Sequence, residues 1–77
     1  ALYRLGSIYY GREKYQKAYR YFEKGLNLYP FDYDLNLMMA WTQYKLGKLR
    51  EAKVLFQKTL MIEPGDESAL EGLDLIE

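Results

Sequence analysis

The chain is predicted to be all-α, built from antiparallel helical hairpins stacked side by side, and three observations carry this. The first is an internal repeat with an interval of 34 residues. Shifted by that interval, Tyr10 meets Tyr44, Lys14 meets Lys48, Ala18 meets Ala52 and Phe22 meets Phe56; Lys24, Leu26, Pro30 and Asp32 fall on Lys58, Leu60, Pro64 and Asp66. The second is a helical period of apolar residues between the breaks. The third is the pair Pro30 and Pro64, each of which halts a segment because proline lacks an N–H and its ring clashes with the preceding turn. A repeat of this length is one supersecondary unit that buries its apolar face only against a neighbour.

Five helices are predicted, roughly 1–11, 14–29, 33–46, 49–62 and 66–77. The first runs to a weak break at Gly11–Glu13 and offers Gly6 as a small contact residue. In the second, Tyr15, Ala18, Phe22 and Leu26 make one stripe, flanked by Tyr19 or Tyr21, while Lys14, Lys17, Arg20 and Lys24 form a basic outer face. Gly25 interrupts this helix at a cost of about 1 kcal/mol relative to alanine, and is expected where two helices approach closely. The third helix starts after Asp32, placed as its cap, and stops at Gly47. Leu49, Ala52, Phe56 and Leu60 repeat the stripe in the fourth, and Asp66 is placed to cap the fifth. Connections this short force neighbouring helices to run antiparallel.

With 77 residues, 49% of them apolar, the chain forms one small domain with enough apolar material for a core. It begins inside a predicted helix and without methionine, so it is expected to be part of a longer protein. No apolar run reaches the ~18 residues of a membrane span. Net charge is zero but unevenly spread: residues 1–24 carry six basic and two acidic side chains, whereas the tail from Glu63 carries six acids and no base. The plain reading is a set of solvated faces; the alternative is an asymmetry that orients a partner or another copy.

Catalysis and cofactor binding find little support. The absence of histidine and cysteine removes the commonest general base and the soft metal ligands. Asp32 and Asp34, and Glu63, Asp66 and Glu67, surround helix starts, where caps and first-turn acids are stabilised by the helix dipole. Ser7, Thr42, Thr59 and Ser68 have no base in a recognisable motif, and no glycine-rich phosphate loop is present. No catalytic residue, metal ligand or cofactor is therefore expected. Nucleic acid is a weaker rival: Arg12, Lys14, Lys17, Arg20 and Lys24 interleave with Tyr15, Tyr19 and Tyr21, but these tyrosines lie largely on the buried stripe and the domain is neutral.

The spacing resembles the tetratricopeptide repeat, whose signature is W-x2-L-G-x2-Y, then A-x3-F, then P. The first copy reads Leu2-x2-Leu5-Gly6-x2-Tyr9, Ala18-x3-Phe22, Pro30. The second reads Asn36-x2-Met39-Ala40-x2-Gln43, Ala52-x3-Phe56, Pro64, with Asn36 and Gln43 departing from the pattern. A partial third copy, Leu70-x2-Leu73-Asp74-x2-Glu77, places Asp74 where a small residue is expected and looks like a capping helix with a polar outer side. The resemblance implies a short right-handed α-solenoid over 1–77: one repeat over about 1–30, a second over 33–64 and a capping helix over 66–77.

It also implies a non-catalytic interaction module whose first helices line a concave groove for a protein or peptide. By position, the peptide-binding residues are Tyr3, Ser7, Tyr10, Asp34, Leu37, Met38, Trp41, Tyr44 and Lys45, with Gly11, Ser68, Glu71 and Leu75 at the margins. The lysines and asparagines that hold acidic C-terminal tails in some members are replaced here by Tyr3, Ser7, Met38, Ser68 and Gly72. An apolar or aromatic-anchored peptide is expected instead. Trp41 can contact a partner, join the core or stand exposed. The alternative function is self-association through the open N-terminal end.

Overall fold

A computed structural model describes all 77 residues as five α-helices: α1 (Leu2–Gly11), α2 (Tyr15–Leu28), α3 (Tyr33–Lys45), α4 (Leu49–Ile62) and α5 (Glu67–Ile76). The boundaries follow from local chemistry. Asp32 and Asp66 cap α3 and α5, their carboxylates accepting from Leu35 N and Ala69 N, each at 2.9 Å. The two hairpin turns share one geometry. Lys14 N donates to Tyr9 O at 2.9 Å and Lys48 N to Gln43 O at 2.8 Å, closing α1 and α3 with the same six-residue loop. The left-handed residue in the second turn is Gly47 at φ 81°, but in the first it is Glu13 at φ 62°. The break expected around Gly11–Glu13 is thus made by the glutamate, while Gly11 ends the helix itself.

Two aromatic plugs organise the interior. Phe22 and Phe56 are both fully buried. Around Phe22 gather Ala18, Leu35 and Met39; around Phe56 gather Ala40, Ala52 and Ala69. Leu55 packs against both clusters and joins them. Small residues make these approaches possible. A Cβ on Gly6 would come within 2.5 Å of the Phe22 ring, and one on Gly25 within 2.8 Å of Leu35, as a packing glycine requires. In α5 the small contact is Gly72, where a Cβ would lie 2.3 Å from the Phe56 ring. Asp74, at the matching repeat position, stays exposed on α5.

Three buried side chains donate to nearby carbonyls, whereas the Asn36 and Gln43 amide oxygens and the Ser7 hydroxyl have no protein partner. Thr42 and Thr59 are fully buried and donate to the carbonyls of Met38 and Leu55, both at 2.7 Å. Asn36, the residue that breaks the repeat signature, is also fully buried. Its amide donates to Pro30 O at 3.0 Å and Asp32 O at 2.7 Å, tying the loop between α2 and α3 to the third helix.

Each helix packs on its chain neighbours; in addition the backbones of α1 and α3, and of α3 and α5, approach one another, whereas those of α2 and α4 stay apart. The array therefore curves, with α1, α3 and α5 inside and α2 and α4 splayed on the outer side.

Candidate functional site

The inner face carries the residues expected to line a groove, and most of them are half-buried rather than free. Tyr3 is 41% exposed, with its ring 6.4 Å from that of Phe22. Tyr10 and Met38 pack against the first core, and Leu37, Trp41 and Tyr44 against the second. Asp34 and Lys45 are exposed, and Ser7 is half-buried with no partner for its hydroxyl. Burial pushes the Tyr10 phenol above its ordinary pKa, with a further contribution from Tyr15, whose ring meets that of Tyr10 edge-on at 5.3 Å.

Trp41 is the most constrained member. Its indole N–H donates to Ser68 Oγ at 2.9 Å, linking α3 to α5. Its ring meets Phe56 edge-on at 4.9 Å and Tyr44 edge-on at 5.6 Å. What remains partly exposed is carbon surface, already held rigid.

Sequence reasoning named Tyr3, Asp34, Ser68 and Glu71 as lining residues but gave no clefts around them. Near the start of α1, a cleft of about 400 Å³ opens between α1, the end of α2 and the start of α3. Leu2, Tyr3, Leu28, Tyr29 and Leu35 give it apolar walls, and Asp32 and Asp34 supply carboxylates. At the opposite end, a shallow cleft of about 780 Å³ is lined by Glu67, Ser68, Leu70, Glu71 and Asp74. Between these ends lies Tyr33, whose hydroxyl donates to Asp66, the cap of α5. That hydrogen bond, then desolvation, then the charges of Asp66, Asp34 and Glu63 raise the Tyr33 phenol to a pKa of about 12. The repeat interval could not have found Tyr33, because it aligns with Glu67 rather than with another aromatic residue.

The outer helices use their aromatic surface internally. Tyr21 stacks on Tyr9 with centroids 5.5 Å apart and planes 1° from parallel. Lys17 lies over the Tyr9 ring at 5.4 Å, Lys24 over Tyr21 at 6.0 Å, and Lys48 over Tyr19 at 4.5 Å. The one ion pair in the protein, Lys53–Glu77 at 3.4 Å, joins α4 to the chain end. No helix is long and apolar enough to cross a membrane, and no three acidic side chains gather as a metal-holding group.

Helix hairpins in series, with repeat-related cores, bonded turns and caps, define an α-solenoid with a curved inner face. The sequence model of the tetratricopeptide repeat matches residues 9–73, and the chain belongs to that family. Repeats of this family generally mediate protein–protein interaction. No curated protein matches the chain.

Proposed function

We propose that this chain is a non-catalytic protein-interaction segment whose inner face takes a peptide anchored by apolar or aromatic side chains. The observation that carries the reading is the curvature: α1, α3 and α5 adjoin while α2 and α4 do not, so Tyr3, Tyr10, Met38, Trp41 and Tyr44 belong to the helices on the inside. Large rings restrained by Ser68, Phe56 and Tyr15 lose little further freedom on binding, which favours them as anchors. Asp34 and Lys45 are the only charged residues among the proposed contacts on α1 and α3, so affinity should depend weakly on salt.

The test is selection of peptides from a random library on this chain, followed by binding to variants checked for helicity. Trp41→Ala should weaken a selected peptide by about 2 kcal/mol or more. Met38→Ala, which leaves the indole contacts in place, should weaken it by about 1 kcal/mol. Lys17→Ala with Arg20→Ala should change little. Binding that survives both inner-face substitutions and collapses with the outer pair would refute the assignment and favour the electrostatic alternative, including nucleic acid.

A second reading is favoured by one comparison within the chain. Leu5 and Ile8 are 40% and 44% exposed, whereas their repeat counterparts Met39 and Thr42, covered in the array, are 3% and 0% exposed. Self-association through this face of α1 would shield it, and the acidic outer side of α5 complements nearby Arg4 and Arg12 in charge. Sedimentation with concentration, repeated on Leu5→Glu, tests it: an unchanging monomer refutes self-association.

A further inference from the structure

The two outer helices concentrate the positive charge of the protein. With their N-cap residues Lys14 and Lys48, α2 and α4 carry eight basic and two acidic side chains, a net charge of +6. The rest of the chain carries three basic and nine acidic side chains, a net −6, so a neutral molecule is divided into a basic outer layer and an acidic remainder. Beside this basic layer three large apolar side chains stand out into solvent: Phe31 is 73%, Val54 60% and Met61 82% exposed. They gather about one cation. Val54, Lys58 and Met61 follow at i, i+4 and i+7 on α4, and Lys58 Nζ lies 4.9 Å from the centre of the Phe31 ring.

The internal repeat shows that the fold does not ask for apolar residues here. One interval away, Arg20 stands for Val54, Asn27 for Met61 and Gly65 for Phe31. It also shows that an adjoining hairpin leaves these positions uncovered. Arg20 and Asn27 are exposed although α3 and α4 follow them, and Gly65 is exposed although both hairpins precede it.

We propose that the outer side of α2 and α4 docks on an anionic lipid surface, with Phe31, Val54 and Met61 entering the boundary between headgroups and acyl chains while the surrounding lysines and arginines meet the lipid anions. This goes beyond the peptide-binding reading, because it uses the opposite face and leaves the inner one open. Charge sets the sign of the partner, and the acidic remainder of the chain turns the inner face away from it. The form of the patch sets its kind. Three side chains at about 200 Å² each fall short of the roughly 800 Å² per partner of a stable protein interface, whereas a fluid bilayer takes single side chains without shape complementarity. Nucleic acid needs stacking surfaces, but Val54 and Met61 have none, and Tyr19 and Tyr21 are already engaged by Lys48 and Tyr9.

The probes are vesicles of phosphatidylcholine alone and of phosphatidylcholine mixed in equal parts with phosphatidylserine, with binding followed by co-flotation. The chain should float with the anionic vesicles only, and dissociate as salt rises. Lys24→Gln and Lys58→Gln should each weaken binding about fivefold. Phe31→Ser combined with Met61→Ser should weaken it about tenfold or more, with helicity and unfolding midpoint checked for every variant. Depth gives a readout that stability does not move. In a Trp41→Phe background, Met61→Trp should be quenched by brominated acyl chains, whereas Trp41 of the unmodified chain should not.

Failure to float at low salt, indifference to the Phe31 and Met61 pair, or quenching of Trp41 would each overturn the proposal. Release by single-stranded RNA, with the apolar pair making no difference, would assign the outer face to nucleic acid. A concentration-dependent dimer abolished by Met61→Ser would assign it to a second copy; both results also reject the lipid assignment. Trp41→Ala bears on the peptide and Met61→Ser on the vesicle, so either reading can fail alone.

Discussion

Replacing Gly72 by alanine sets two opposing effects against each other, and the structure decides between them. Removing a glycine from a helix interior is worth about 1 kcal/mol of stability. The new methyl, however, would lie 2.3, 2.5 and 2.6 Å from Cζ, Cε1 and Cε2 of Phe56, whereas ordinary contact begins at 3.4 Å. The ring would have to retreat by about 1 Å, the difference between 3.4 and 2.3 Å. It is fully buried, with the Trp41 ring 4.9 Å away, so the strain passes into the second core. Overpacking of this kind costs about 1–3 kcal/mol, leaving a net loss of about 1 kcal/mol after the helix gain. In a domain of this size that lowers the melting temperature by about 4–8 °C. Urea unfolding read by the fluorescence of Trp41, the only tryptophan, measures it directly. Gly11→Ala is the control: no atom lies within 4 Å of its added Cβ, so stability should hold or rise. If Gly72→Ala equals or exceeds the parent in stability, the close-contact argument fails. Combining it with Phe56→Leu should cost less than the two separate losses, because the smaller side chain removes the clash.

Three further outcomes follow from the fold. Glu13→Gly should stabilise the chain by about 0.5–1 kcal/mol, because φ of 62° is strained for glutamate, while Gly47→Ala at φ 81° should destabilise it by about as much; denaturant midpoints check both. Asn36→Ala should cost about 2 kcal/mol by cutting the buried amide's bonds to Pro30 and Asp32, with hydrogen exchange rising first in the loop at 29–32. The Tyr33 phenol is held protonated in the fold, with its pKa raised from 10.0 to about 12, so its contribution is fully present below pH 10 and lost as pH climbs through 12. Tyr33→Phe should flatten that part of the stability profile, as seen by comparing unfolding midpoints across this pH window, and an unchanged slope would show that the bond to Asp66 does not form.

The skeleton was legible because the repeat enforces itself. Phe22 and Phe56, and the caps Asp32 and Asp66, occupy the same roles one interval apart, small residues recur at Gly6 and Ala40 and at Gly25 and Thr59, and the five helices end within a residue of the breaks expected from Gly, Pro and Asp. What the sequence hid are departures from the repeat. Asn36 looks like a defect in the signature, yet its amide is the tie that holds a loop, which no hydrophobic pattern encodes. Glu13 takes the left-handed turn because the rest of the hairpin overrides its preference, so the break expected at Gly11–Glu13 is in place but is made by a residue other than glycine. The inner-face residues were placed by position, but their engagement was not legible: the bond from Trp41 to Ser68 and that from Tyr33 to Asp66 join residues 27 and 33 apart. Such cross-helix polar pairs depend on rotamers and packing rather than on period.

The two aromatic cores are strung in series and meet at Leu55, instead of surrounding one centre. A molecule built this way is expected to yield first where the two plugs join. Rocking the first hairpin against the second shears the contacts between α2 and α3 without dismantling either plug, much as a hinge pin lets two plates tilt while each stays flat. Because α1 and α3 sit inside that hinge, tilting changes the width of the inner face more than its chemistry. Leu55 sits at that joint, so its substitution is expected to change the angle between the two hairpins while leaving the residues proposed to meet a peptide untouched.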